Sequence, residues 1–122
     1  MNIYYKTKKL EQLCNNYDAL VRRYGERQAK KIRIRLNALR SAKSLHDFSP
    51  PERTPERCHE LLQGRKKGDP IKISMDLVHP YRLIFTPDHN PVPCKVDGGL
   101  DWGGVTDIEI WGVEDTHDHK KK

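Results

Sequence analysis

Three polar residues in succession, Asp115, Thr116 and His117, stand one residue beyond the apolar run Ile108-Glu-Ile-Trp-Gly-Val113, after Glu114. The run reads as a strand buried on both sides, with Ile108 and Ile110 on one face and Trp111 and Val113 on the other. Groups at the end of a rigid strand are held in place and still reach solvent. A histidine placed there can give or take a proton near neutral pH, so His117 is the first candidate for acid–base chemistry. The opposing reading is a solvated chain end. A zinc reading of Asp115, His117 and His119, or of Cys58-His59, fails because the spacing matches no standard ligand pattern. Adjacent residues of a strand face opposite sides, so one of Cys58 and His59 belongs to the core and the other to the surface. No local motif supports a cysteine nucleophile.

The charge pattern narrows the class of partner. Nine basic residues lie between Arg22 and Lys43, among them Arg27, Lys30, Lys31, Arg33 and Arg35, against the single acid Glu26. Asp97 to Asp118 holds seven acids and no Lys or Arg, in a chain whose net charge is +6. One basic face and one acidic segment suggest an oriented polyanion, nucleic acid before others.

The elements that must position these groups can be read from periodicity. Asn2 to Lys6 alternates as a short strand. Thr7 caps a helix carrying Leu10, Leu13 and Cys14, and Asn15-Asn16 interrupts it. Asp18 is the expected cap of a second segment, ended by Gly25. Ala29, Ile32, Leu36 and Leu39 form one apolar stripe of a helix from Glu26 to about Ala42. Leu45 to Arg57 is a proline-rich connector, with Leu45 and Phe48 tucked under it. Arg57 to Leu62, Ile71 to Leu77 and Tyr81 to Phe85 read as strands. Ile71, Ile73, Met75 and Leu77 point inward, and Lys72, Ser74 and Asp76 outward. A long glycine- and proline-rich loop, anchored by Trp102, leads to the last strand. The fold class is α+β: an N-terminal short strand and a helical hairpin packed on one face of a small, mainly antiparallel sheet of four or five strands. Residues 1–117 form a single domain and 118–122 a polar tail. The 122 residues lack an apolar run long enough for a membrane span and lack a signal-peptide pattern. Three unpaired cysteines, Cys14, Cys58 and Cys94, fit a reduced, cytoplasmic compartment.

Five strings carry a family resemblance: Lys6-Thr-Lys-Lys-Leu10, Arg57-Cys-His-Glu-Leu61, His79-Pro-Tyr-Arg-Leu-Ile-Phe85, Asp97-Gly-Gly-Leu-Asp-Trp102 and Glu114-Asp-Thr-His117. With the order of elements, they resemble the RelE/ParE toxin superfamily, specifically the HigB-type "plasmid maintenance killer" toxins, over residues 1–117. The resemblance implies a RelE-like fold and a type II toxin that cleaves messenger RNA on the ribosome without metal or other cofactor. It also implies a partner antitoxin, a HigA-like helix-turn-helix protein.

The implied reaction uses the ribose 2′-OH as nucleophile on the adjacent phosphate. It needs a base, an acid for the leaving 5′-oxygen, and cations for the added charge. His117 is the expected base or acid, with Asp115 orienting it or sharing its proton. Arg82 is the expected phosphate clamp. Arg65, Lys66, Lys67, Lys72, Arg57 and His59 are further RNA- or phosphate-binding candidates. The basic helix, through Arg27, Lys30, Lys31, Arg33 and Arg35, is expected to grip ribosomal RNA. Two positions depart from the family: Thr116 replaces a tyrosine, and Gln63 precedes Gly64 where some relatives have lysine. Both changes remove groups that bind or stabilise reacting RNA. The competing class is a binder without catalysis, docking on ribosome or nucleic acid or inhibiting gyrase as the ParE branch does.

Overall fold

The computed structural model describes residues 1–48, 57–61 and 69–115. The chain opens with strand β1 (Asn2–Tyr5), followed by helices α1 (Lys8–Cys14), α2 (Tyr17–Tyr24) and α3 (Glu26–Ser41). A 3-10 turn spans Leu45–Phe48. Strands β2 (Cys58–Leu61), β3 (Lys72–Asp76), β4 (Tyr81–Pro87) and β5 (Asp107–Asp115) follow, with a second 3-10 turn at Trp102–Gly104. The strands form one sheet in the order β1-β5-β4-β3-β2. β1 and β5 run parallel, and the remaining pairs are antiparallel. This is the α+β architecture expected from the sequence. β5 lies between β1 and β4, which explains its apolar run.

Side-chain caps set the helix boundaries. Thr7 Oγ1 accepts the Leu10 amide at 3.1 Å and starts α1. Asn16, not Asp18, caps α2: its Oδ1 accepts the Ala19 amide at 3.1 Å. Both residue types can do this, but only Asn16 has the extended backbone of a cap. Gly25, at φ +87°, ends α2 and begins α3, a conformation that L side chains rarely adopt.

The stripe Ala29, Ile32, Leu36 and Leu39 is fully buried against the sheet. It meets Ile73 and Met75 of β3, Leu83 and Phe85 of β4, and Ile108 and Ile110 of β5. Leu45 and Phe48 close the core as expected, and Trp102 packs at its margin. The long loop is tied to β5 by His89, whose Nε2 accepts the Thr106 and Asp107 amides at 3.1 and 3.2 Å. No helix among the described residues is long and apolar enough to cross a membrane.

The helices cover one face of the sheet. Trp111 and Val113 do not share the other, as simple alternation predicts. The β4–β5 register slips between Ile84 and Phe85: Phe85 pairs with Ile110 but Ile84 with Gly112. Trp111 is the extra residue of a β-bulge, and Gly112 takes φ +147°. Beyond the bulge the parity is reset, so Val113 packs toward the helices.

Candidate functional site

The face of the sheet away from the helices gathers the candidate groups in cross-strand rows. In one row His59, Ser74, Ile84 and Gly112 stand opposite one another on β2, β3, β4 and β5. In the next, Asp76, Arg82 and Glu114 align. This outer face therefore carries the alternate residues of the strands that build the core. Cys58 is buried on the core side and His59 faces outward, which resolves the choice left by sequence.

Arg57 Nε donates to His59 Nε2 at 3.3 Å, and its Nη2 lies 3.2 Å from the same nitrogen. A guanidinium has only donors, so Nε2 is the unprotonated nitrogen of a neutral ring. The electrostatics agree. Partial burial lowers the His59 pKa, and Arg57 and Arg82 lower it further, against the opposing pull of Asp76. His59 is thus a neutral imidazole flanked by two guanidiniums.

Arg82 is positioned by Asp76, whose Oδ1 lies 3.3 Å from Arg82 Nε. That contact uses one edge of the guanidinium and leaves donors for an anion. Asp76 is anchored from the helix side, because Arg35 Nε donates 2.9 Å to the Asp76 backbone carbonyl. Gln28 of α3 holds the adjoining turn: its Nε2 donates to the Val78 carbonyl at 3.3 Å and its Oε1 accepts the Val78 amide at 2.9 Å. Ser74 Oγ, between His59 and Ile84 in the row, is buried with no hydrogen-bond partner among the described residues.

Arg35 corrects the reading of α3 as a uniformly solvent-facing basic helix. Its side chain is buried and serves the sheet, so it is not available to a polyanion. Gln28, Ile32, Arg35 and Leu39 share helical spacing, which was the sequence signal for an inward Arg35. Arg27 and Lys30 are exposed. With Lys31 they line an open groove of about 640 Å³ against Ile34, Leu77 and Val78. Arg33 is exposed and lies over the Tyr17 ring, 4.2 Å from its centroid.

Asp115 ends β5 opposite Tyr81. Strand alternation puts it on the side of Leu83 and Val113, across the sheet from Arg82. His117 and Thr116 lie outside the described residues, as do Gln63, Arg65, Lys66 and Lys67. Lys72 is on the outer face near Trp111, its Nζ 4.9 Å from the ring centroid. From the sequence, Arg57 and His59 are expected only as binding groups; their i, i+2 spacing in an extended segment was the local signal that they share a face and can touch. Among the described residues no group of three or more His, Cys, Asp or Glu side chains could hold a metal ion. No family model, curated protein or solved structure matches the chain.

Proposed function

We propose that this protein is the toxin of a type II toxin–antitoxin pair, a ribosome-dependent endoribonuclease that cuts messenger RNA with the outer face of its sheet. The observation that carries this reading is the neutral His59 between Arg57 and Arg82. That set offers a proton acceptor on β2 and two phosphate-binding cations, Arg82 on β4 and Arg57 just before β2. It suits transfer at a phosphodiester without a metal.

In the proposed reaction an RNA phosphate binds Arg82, held by Asp76, and draws the Arg57 guanidinium off the imidazole. His59 Nε2 is then free to take the proton of the 2′-OH. The O2′–P bond forms as the P–O5′ bond breaks, and O5′ takes a proton from His117, the acid supplied by the end of the chain. The products are a 2′,3′-cyclic phosphate and a 5′-hydroxyl end. Charge added to the phosphate in the transition state is met by two guanidiniums: Arg82, which Asp76 holds in place before the RNA arrives, and Arg57, which moves from the imidazole to the phosphate. The Arg27, Lys30, Lys31 and Arg33 side of α3 binds ribosomal RNA. A HigA-like antitoxin restrains the toxin.

The test is primer extension on a defined message in a purified translation mixture, with wild type, Arg82→Ala, His59→Gln and His117→Ala compared. Wild type cuts only when ribosomes are present. Arg82→Ala loses roughly a hundredfold or more in rate, as expected for removal of a transition-state donor, and His59→Gln loses about as much. A wild-type protein that leaves the message intact sinks the nuclease reading in favour of binding without catalysis.

A further inference from the structure

Trp111 takes no part in the phosphate chemistry proposed above, yet β5 bulges at this residue. Both residues of the bulge face the outer side, so the indole lies beside Gly112, which has no side chain. A Cβ built at Gly112 would meet nothing within 4 Å, so the surface next to the ring is open. The ring is half-buried, and its Nε1 donates to Glu109 Oε1 at 2.9 Å, which fixes the plane of the indole. Two ammonium groups from separate segments of the chain converge on it. Lys6 Nζ, just past β1, is 3.8 Å from the ring centroid, and Lys72 Nζ of β3 is 4.9 Å away. Lys72 lies two residues along β3 from Ser74, in the His59 row, so this cluster and the guanidinium pair share one face.

A half-exposed aromatic face with two ammonium groups beside it matches the two chemistries of a nucleotide. The base offers a π surface, and the phosphate offers negative charge. Ammonium–ring contacts are weak at exposed sites, so a phosphate can draw the lysines off the ring while a base takes their place. We infer that Trp111, Lys6 and Lys72 form a nucleotide subsite, in which the indole stacks on a base of the RNA strand and the two lysines grip the phosphate beside it. This rests on the RNA-cleaving reading and specifies where the strand lies: along the outer face, from the Arg57–His59–Arg82 cluster across to Trp111.

The experiment uses the whole protein labelled with nitrogen-15 and a single-stranded octamer of 2′-O-methyl RNA, whose blocked nucleophile prevents cleavage. The chain has two tryptophans, and Trp111→Phe identifies which indole N–H signal is Trp111. Adding the octamer shifts the Trp111 indole signal and leaves that of Trp102 in place. Trp111→Ala weakens binding roughly tenfold or more, Trp111→Phe retains most of the affinity, and the Lys6→Ala, Lys72→Ala double variant flattens the salt dependence. If the amides of Ser74 and Ile84 shift while the Trp111 indole stays put, RNA binds the face but not this subsite, and the inference is overturned alone. If no signal moves at any RNA concentration, the subsite is overturned, and the RNA-cleaving reading stands or falls separately by primer extension with ribosomes present. The wild-type titration stands even where the alanine variant does not fold.

Discussion

His59 takes its character from three sources that act in the same direction. Partial burial is the largest, and the Arg57 and Arg82 guanidiniums add to it. All three disfavour the imidazolium, so the folded-state pKa lies below that of the unfolded chain, about 6.5. As pH falls, the unfolded state binds the proton first. Stability therefore declines as pH drops through about 6.5 and levels off once it passes the folded-state value. The expected outcome is a urea midpoint that falls more steeply between about pH 7.5 and about pH 5 in wild type than in His59→Gln, since the variant lacks the titrating ring. Equal slopes would mean that His59 is not held neutral by its neighbours. Under the proposed cleavage the same depression favours the proton-accepting form of the ring at neutral pH, and the two cations, against Asp76, favour release of a proton it has taken.

Helix α3 serves the sheet on one side and carries exposed cations on the other, and the two roles separate cleanly between Arg33 and Arg35. Arg35→Glu would place a buried carboxylate against the Asp76 carbonyl that Arg35 Nε now satisfies. Uncompensated buried charge of this kind destabilises by about 3–5 kcal/mol, enough to threaten folding and to release the strand that positions Arg82. Arg33→Glu gives up only an exposed contact over Tyr17, worth about 0.5–1 kcal/mol. Urea melts should show the large loss only for Arg35→Glu. Sedimentation with ribosomes at low salt should show weakened association for Arg33→Glu, and an unchanged salt slope would remove the helix from the interface. This pair also shows what the sequence could express. The stripe of α3 and the alternation of β3 and β4 were legible because half-buried elements record their two faces in their own spacing. Arg35 was misread because its acceptor lies 41 residues away, and residue type outweighed the spacing that places it inward. The bulge was illegible because an inserted residue breaks the alternation without a mark of its own; Gly112 was the only local trace. On the outer face Arg82 and Lys72 were readable as outward residues. The approach of His59 to Asp76 and Arg82 was not, since it exists only once β2 pairs with β3 and β3 with β4.

At the scale of the whole molecule, a single core beneath the helices supports the Arg57–His59–Arg82 face on the reverse of the same sheet, so the geometry of that face depends on cooperative folding. The three cysteines sample that cooperativity at different depths. Cys94 is exposed, Cys14 partly buried on α1, and Cys58 fully buried on β2. Burial pushes the Cys14 thiol up to about 11, and it pushes Cys58 up as well, with Arg35 opposing and Asp76 adding to the effect. The thiolate is the species that reacts with alkylating reagents, so raised pKa and lost access act together. In native buffer near pH 8, iodoacetamide should label Cys94 alone, as peptide mass analysis can read. With added urea, Cys14 should become reactive first, because a short peripheral helix can open by itself. Cys58 should follow only at the global transition seen by circular dichroism, since exposing it requires β2 to leave β3. Cys58 labelled together with Cys94 in native buffer would mean that β2 opens independently. His59, its neighbour on that strand, would then be displaced from Arg82 as often as the strand opens, and the outer face could not be the preformed site that cleavage requires.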